Sequence, residues 1–300
     1  MTSMPMVRRR RGRLVLRNTV VGWSFLLPNF AGFAVLTLVP VALLFYYAFT
    51  SWNVFGGAEW TGLDNFRQLL HDRSFRTALT NTVYYTVFHI PLTLAAALGL
   101  ALLLNRKLRG VAFFRTVAFF PYITSIVAAA YVWNVLFSPE YGPINALLRL
   151  IGVTHGPGWT VSATWSMPAV IIVGTWREMG YYMLIFLAGL QTIPAELYEA
   201  GDLDGATGWQ RFRYITWPGL LATRTFILIT ITISALSLFS QVNVMTQGGP
   251  LDSTTTLVFM AVRTGYQQLA TGYASAISLV FFVLVLTVAA IQRFLTREKV

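Results

Sequence analysis

The sequence predicts an all-α integral membrane protein with six transmembrane helices. Apolar residues make up 56% of the 300 residues and charged residues only 11%, whereas soluble domains carry about 25% charged residues. The apolar residues are gathered in six long stretches, and a soluble globule of this length has no room to bury so many. The chain has no cysteine, which excludes a disulfide framework, an iron–sulfur cluster and thiolate-bound zinc.

The predicted transmembrane helices are the apolar runs long enough to cross about 30 Å of hydrocarbon. In chain order they are Val20–Phe49, Ala78–Leu104, Phe113–Phe137, Met167–Leu190, Gly219–Met245 and Ala274–Ile291. Outside them, Gly62–Arg76 and Pro143–Ile151 have the spacing of short amphipathic helices. The predicted organisation is a basic segment (1–19), a six-helix transmembrane domain (20–293) that includes the loop 193–218, and a tail (294–300).

Basic residues are distributed unequally between the two sides of this arrangement. The side that holds both termini carries sixteen lysines and arginines, with a cluster at Arg8–Arg17, and the other side carries five. The positive-inside rule therefore predicts that both termini are cytoplasmic. This asymmetry accounts for the net charge of +11, so we expect a lipid membrane and no nucleic acid as partner. A cleaved signal peptide is disfavoured because the first apolar run is too long.

The loop between the fourth and fifth predicted spans, residues 193–218, has the pattern of two short helices joined by a sharp turn. Pro194 suits a first helical position, Gly205 supplies freedom at the turn, and Asp204 is a candidate N-cap for the second helix. The apolar face expected for that helix consists of Ala206, Trp209, Phe212 and Ile215. On this pattern alone, both an ordinary ordered loop and a docking site for a cytosolic partner remain open.

The string from Glu199 to Pro218 resembles the E-A-A-x-x-D-G-A…F-x-x-I-x-x-P signature of permease subunits of binding-protein-dependent ABC importers. In that family the motif forms a coupling helix that docks into the cytosolic ATPase subunit. Gly201 departs from the second alanine of the pattern. The resemblance therefore implies an ATPase-coupling role for Glu199, Asp204, Gly205, Ala206 and Phe212.

The resemblance covers nearly the whole chain and narrows the family to sugar-type permeases. Gly62–Phe66 with Asn81-Thr82 resembles the opening of sugar-type permeases. Thr246–Pro250 with Thr254–Leu257 resembles the outer loop before the last helix in the first permease of maltose- and glycerol-3-phosphate-type systems. The resemblance implies a bacterial or archaeal cell (inner) membrane and an ABC importer type I permease fold. The implied partners are a homologous second permease, an ATPase dimer and an extracytoplasmic solute-binding protein.

Polar residues inside the predicted spans are candidates for the solute path, because mid-membrane charges cost at least about 2.5–3.5 kcal/mol. Arg177 and Glu178 lie near the middle of the fourth span, and Tyr181 follows on the face between them. Thr230, Ser234, Ser237 and Gln241 are spaced by four, three and four residues, which predicts one polar stripe on the fifth span. Structural ion pairs and hydroxyls bonded to their own carbonyls are the alternatives. His89 is expected to be packed or hydrogen-bonded.

The function that these patterns favour is an ATP-driven import permease for a sugar, an oligosaccharide or glycerol phosphate. No phosphate-binding loop occurs in the chain, so the chain is predicted not to be an enzyme, and ATP and Mg²⁺ are expected on a partner ATPase. A secondary transporter is the alternative, although such proteins usually show repeats and several intramembrane acids. A membrane-embedded enzyme would need a catalytic cluster, and His71 and His155 lack metal-ligand spacing. No cofactor or metal site is predicted in this chain.

Overall fold

The computed structural model describes residues 10–53, 56–105 and 109–297, and helices dominate this part of the chain. The helices are α1 (Arg10–Phe33), α2 (Val39–Tyr47), α3 (Asp64–His71), α4 (Arg73–Leu104), α5 (Val111–Ile123), α6 (Ile126–Leu136), α7 (Pro143–Leu150), α8 (Ser166–Gln191), α9 (Ala195–Leu203), α10 (Gly208–Arg211), α11 (Trp217–Gly219), α12 (Leu221–Leu236), α13 (Ser240–Met245), α14 (Leu257–Val262) and α15 (Thr271–Arg297). Short π-helical turns, Ala34–Leu38, Phe212–Thr216 and Arg263–Gln267, join neighbouring helices. The predicted all-α class is confirmed for the described residues.

Long apolar helices match four of the predicted spans. The described residues contain four helical stretches long and apolar enough to cross a membrane, namely Val21–Tyr47, Arg73–Leu104, Ser166–Gln191 and Thr271–Leu295. The first of them runs from α1 through the π-helical turn Ala34–Leu38 into α2. Two further stretches, α5 with α6 and Gly208–Gly219 with α12, pass the same test only when two helices joined at a sharp bend are taken together. The number of spans is therefore up to six if each of these bent pairs counts as one span. The ends of the chain, residues 1–9 and 298–300, lie outside the described residues.

The prediction of a continuous third span is wrong, because α5 and α6 meet at an angle of 99°. Thr124 is extended at the junction, and its hydroxyl donates to the carbonyl of Pro121 at 2.7 Å. The Ser125 hydroxyl caps α6 by accepting from the N–H of Ala128 at 3.5 Å. These local bonds satisfy backbone groups that the break exposes. In the sequence, Pro121 and the polar pair Thr124-Ser125 interrupt the apolar run at this bend.

The prediction of a continuous fifth span is also wrong. Within the predicted span Gly219–Met245, α12 ends at Leu236 and α13 begins only at Ser240. A separate bend of 68° lies at the start of the span, between the stretch Gly208–Gly219 and α12. In the break between α12 and α13 the carbonyl of Leu238 accepts from the hydroxyl of Thr256 at 2.7 Å. Thr256 also caps α14 by accepting from the N–H of Phe259. Because a residue remote in sequence satisfies the exposed carbonyl, the apolar pattern could not reveal this break.

α8 is the most enclosed of the long helices and lies between α4, α5 and α12. Close packing depends on Gly180, where an added Cβ would collide with the backbone carbonyl of Ala118 on α5. One apolar cluster surrounds the first half of α8 with Met167, Val170 and Val173. Another surrounds its second half. The segment of α8 between these two apolar layers carries the polar residues of the site.

Candidate functional site

α4 and α8 place polar side chains on their facing surfaces at the middle of the fold. His89 and Thr93 are one helical turn apart on α4, and both are fully buried. Thr175 and Glu178 are three residues apart on α8 and are also buried. Spacings of three and four residues keep each pair on one helix face. The two helices therefore contribute two polar residues each to one buried layer.

Glu178 joins three helices through its two carboxylate oxygens. Its Oε2 lies 3.2 Å from Nε2 of His89 on α4, and its Oε1 accepts from the hydroxyl of Ser234 on α12 at 2.9 Å. On the other side of the imidazole, Thr93 donates to Thr175 at 3.2 Å, and the Thr175 hydroxyl lies 3.4 Å from Nδ1. A proton on Nε2 satisfies all of these contacts together, because Nδ1 then accepts and the carboxylate receives two donors.

Tyr85 and Gln241 extend this cluster toward α13. The Tyr85 ring stacks on the imidazole of His89 with centroids 4.7 Å apart, and its hydroxyl donates to Oε1 of Gln241 at 3.4 Å. Gly174 on α8 makes this approach possible, since a Cβ there would collide with the Tyr85 hydroxyl. Gln241 therefore reaches the cluster from a helix separate from the one that carries Ser234.

Arg177 and two tyrosines form the more open side of the cluster. Nη1 of Arg177 lies 4.0 Å from Oε1 of Glu178, and its guanidinium lies 5.4 Å from the ring centroid of Tyr122 on α5. Tyr122 stacks on Tyr181 at 4.4 Å. The Nε of Arg177 is enclosed and has no hydrogen-bond partner among the described residues. Enclosed N–H groups are normally bonded, so the Nε of Arg177 is a buried donor to which the described residues supply no partner.

The structure brings together most of the solute-path residues predicted from the sequence, namely Arg177, Glu178, Tyr181, Ser234 and Gln241. Ser237 does not join them: it is the exposed C-cap of α12. Thr230 donates to carbonyls of its own helix, Phe226 and Ile227. The predicted single stripe is therefore wrong, because the helix that would carry it ends at Leu236.

Sequence reasoning missed the α4 side of the cluster. Tyr85, His89 and Thr93 follow one another at intervals of four residues, which places them on one helix face. That interval within an apolar run was the available signal. Taken alone, His89 indicated only a packed or hydrogen-bonded residue, and it is one.

The loop between α8 and α12 forms the predicted pair of short helices around a tight turn. α9 ends at Leu203, and Gly205 follows with a φ of +70°, in the left-handed region that favours glycine. The N–H of Ala206 bonds to the carbonyl of Gly201 at 2.8 Å and closes the turn. Asp204 is the C-cap of α9, so its predicted role as N-cap of the next helix is wrong. That role belongs to Thr207, which forms a capping box with Gln210.

This two-helix segment, residues 195–219, presents both carboxylates and large apolar side chains on its surface. Glu199 and Asp204 are exposed, Leu203 is 90% exposed and Trp209 is 71% exposed. Ala206, Phe212 and Ile215 are partly buried as predicted, whereas Trp209 is not part of that buried face. Gly201 lies close to Ile215, whose Cδ1 would be 3.1 Å from an added Cβ. An alanine at this position would require the Ile215 side chain to move by a few tenths of an ångström.

The arrangement of intact and bent helices is similar to that of solved importers. The chain of a bacterial ABC transporter involved in the import of the acidic polysaccharide alginate matches with a TM-score of 0.85 and 24% identity, over 96% of this chain and 99% of that chain. A second structure, of the alginate transporter in complex with a periplasmic protein bound to an alginate pentasaccharide, matches with a TM-score of 0.84. These likenesses show an ABC importer permease fold.

The family described as binding-protein-dependent transport system inner membrane component matches residues 89–299, and the chain belongs to this family. The probable ABC transporter permease protein YesP of Bacillus subtilis is 34% identical over 92% of this chain and 90% of its own length. The lactose transport system permease protein LacF of Rhizobium radiobacter is 35% identical, with 93% and 95% covered. The sn-glycerol-3-phosphate transport system permease protein UgpA of Agrobacterium fabrum is 32% identical, with 95% and 98% covered. The resemblance stated from the sequence is confirmed, and the chain is a membrane transport permease.

Proposed function

We propose that this chain is one permease subunit of an ATP-driven importer for a carbohydrate or a carbohydrate-like solute. The class includes sugars, oligosaccharides and glycerol phosphate, and the relatives that are named for lactose and for sn-glycerol-3-phosphate support it. The proposed transmembrane domain, 20–293, crosses the cell (inner) membrane six times with both termini in the cytoplasm. The family and the predominance of Lys and Arg on one side support that orientation.

The observation that carries this proposal is the position of α8. The helix holds Arg177, Glu178 and Tyr181 at its middle, and it leads through Thr192–Pro194 directly into the exposed two-helix segment. A displacement of that segment by a cytosolic subunit would therefore reach the polar cluster along one rigid element. This continuity supports a permease in which an ATPase acts at one end and the solute passes at mid-helix.

The chemistry of the cluster suits a polyhydroxylated solute. Glu178 and Gln241 offer acceptor oxygens, and Arg177 offers donors. Ser234, whose hydroxyl already donates to Glu178, offers a further acceptor. Each hydrogen bond to a hydroxyl group contributes about 0.5–1.5 kcal/mol, and more where a charged group takes part. The stacked rings of Tyr122 and Tyr181 provide an apolar face beside these groups. Ser237, exposed at the end of α12, remains a proposed solute contact outside the cluster.

The sequence has no phosphate-binding loop, and the two-helix segment exposes large apolar side chains; the proposed partners follow from these two observations. A homologous second permease completes the path, and an extracytoplasmic solute-binding protein delivers the solute. A cytosolic ATPase dimer binds ATP and Mg²⁺ and docks on Glu199, Asp204, Gly205, Ala206 and Phe212. The exposure of Leu203 and Trp209 beside these residues supports docking, because exposed apolar patches commonly mark interaction sites.

The decisive experiment is solute uptake by the complete transporter reconstituted in vesicles with its binding protein. A panel of mono-, di- and oligosaccharides and glycerol 3-phosphate is offered with and without internal ATP and Mg²⁺. We expect uptake only with ATP, and for the solutes that raise the melting temperature of the binding protein. Uptake driven by a proton or sodium gradient without ATP would instead support a secondary transporter in which Glu178 couples the ion.

A further inference from the structure

A groove separate from the polar cluster lies where α12 begins, beside α4 and the end of α15. Its volume is about 260 Å³. Leucines from three helices form most of its wall, and Trp217 and Arg224 lie on the side of the bend between α11 and α12. The leucines of the wall are Leu94, Leu221, Leu228 and Leu295. The groove is therefore mainly apolar, and Arg224 gives it one permanent positive charge.

The position of this groove across the membrane follows from the helices that form it. α12 and α15 are joined by a bond from the Gln292 amide to the Thr232 hydroxyl at 2.7 Å. Arg224 lies eight residues before Thr232, which is about 12 Å along the helix. On α15 the apolar run ends at Ile291, so Leu295 lies beyond it. The groove therefore opens at the boundary between hydrocarbon and water, where tryptophans such as Trp217 are favoured.

Arg224 is held toward the groove without an acidic partner. Its guanidinium lies 4.5 Å from the centroid of the Trp217 ring, and Nη1 donates to the Trp217 carbonyl at 3.3 Å. Among the described residues no carboxylate lies within ion-pair distance of it. A guanidinium carries five N–H donors, so one bond to a carbonyl leaves most of them free for an anion.

We propose that this groove binds an anionic phospholipid of the cytoplasmic leaflet. The lipid phosphate accepts a bidentate pair of hydrogen bonds from Arg224, and the first part of an acyl chain lies along the leucine wall. Charge complementarity selects this occupant: the groove pairs one unmatched cation with an apolar wall at headgroup depth, and an anionic lipid matches both. The leaflet rests on the orientation in the proposed function, whereas the site itself does not.

A bound lipid would contact the junction that transmits motion from the two-helix segment to α12. Trp217 belongs to the segment and Leu221 to α12, and the bend of 68° lies between them. An occupant in contact with both sides restrains that angle. Anionic lipid is therefore expected to stabilise the complete transporter as well as to bind it.

The test measures lipid retention by the purified complete transporter in native mass spectrometry, with dioleoyl phosphatidylglycerol or dioleoyl phosphatidylcholine added. We expect phosphatidylglycerol to be retained preferentially, and Arg224→Gln to weaken that retention about tenfold, as the loss of a charged hydrogen bond implies. Arg213→Gln is the matched control, because Arg213 is exposed beside Tyr214 and does not line the groove. Leu228→Trp keeps the charge but fills the groove, and it should displace the lipid as well.

Equal retention of both lipids, or equal losses in Arg224→Gln and Arg213→Gln, would overturn the proposal. A photo-cross-linker at Leu228 that captures the second permease instead of lipid would overturn it too. If Arg224→Gln prevents assembly, Leu228→Trp and the comparison of the two lipids still decide the question. No solute enters these measurements, so a failure of the proposed carbohydrate transport would leave their result unaffected.

Discussion

The carboxylate of Glu178 on α8 and the imidazole of His89 on α4 meet at 3.2 Å between Oε2 and Nε2. His89 is wholly enclosed and Glu178 is 8% exposed. An ionisable group at this depth is costly without a partner. Each side chain therefore offsets the free-energy cost of burying the other, and the contact between them fixes how α4 and α8 face each other.

Loss of the Glu178 carboxylate is expected to destabilise the transporter. Glu178→Leu leaves the buried imidazole of His89 and the hydroxyl of Ser234 without their acceptor, which costs about 1–3 kcal/mol for an unsatisfied group. Glu178→Gln keeps one acceptor oxygen and should lose less. The thermal unfolding of the purified complex measures both. Equal melting temperatures for the Leu variant and the parent would show that the pair does not support the fold.

Arg177→Ala is expected to lower solute uptake about tenfold while the complex still assembles, because a charged hydrogen bond to the solute is lost. Glu178 keeps His89 and Ser234 as partners in this variant, so the permease should still fold. Thr287→Val is the matched control, since the Thr287 hydroxyl bonds back to Val283 on the exposed face of α15. Normal uptake by Arg177→Ala, or loss of the complex itself, would make Arg177 a structural residue.

The sequence predicted the parts of the fold that depend on composition and periodicity. The helical class and the four long helices follow from apolar runs that a soluble chain could not bury. The breaks at Thr124 and at Leu238 did not follow from the apolar runs: a hydroxyl satisfies the exposed carbonyl locally at Thr124, and the hydroxyl of Thr256 does so for the carbonyl of Leu238. Apolar runs report where a chain can enter a membrane and do not report where its backbone turns.

The polar cluster was predictable on one side only. Arg177 and Glu178 stand out because charge is rare inside apolar runs, and Ser234 because a hydroxyl follows a periodic pattern. Tyr85 and Thr93 are ordinary in a membrane helix, and only the packing of α4 on α8 gives them partners. The role of Gly174 is likewise visible only in the packed structure, because the Tyr85 hydroxyl lies where a Cβ would stand.

Gly180→Ala is expected to destabilise the contact between α5 and α8. The added Cβ would collide with the backbone carbonyl of Ala118, and overpacking of this kind costs about 1–3 kcal/mol. Gly99→Ala is the matched control, because no atom lies within 4 Å of the Cβ it would add. The melting temperature of the complex should fall for the first variant alone. Unchanged stability in both would mean that α5 shifts freely against α8.

Both termini are expected in the cytoplasm. A reporter fused after Val300 that fluoresces only in the cytoplasm should be bright, and an alkaline phosphatase fused there should be inactive. The opposite fusion result would refute the proposed six-span orientation and, with it, the cytosolic location of the two-helix segment. A fusion after Tyr141, in the loop between α6 and α7, serves as the control and should give the reverse pattern.

Gly205→Val is expected to uncouple the transporter by distorting the turn between α9 and α10. Gly205 has a φ of +70°, where a side chain costs about 1–2 kcal/mol. No atom lies within 4 Å of the added Cβ, so the cost lies in the backbone conformation and not in a collision. The strain acts on the turn that aims Glu199 and Phe212 toward the proposed ATPase.

Two further variants isolate that backbone effect. Gly208→Ala adds a Cβ three residues away, also into open space but without a positive φ, and should leave coupling intact. Gly205→Asn should restore much of it, because asparagine tolerates the left-handed region better than valine does. The measurements are co-purification of the ATPase and solute-stimulated ATP hydrolysis in vesicles. Because the membrane helices are untouched, Gly205→Val should insert normally while losing one or both activities. Normal values for Gly205→Val, or equal losses for Gly208→Ala, would show that the conformation of this turn does not govern docking.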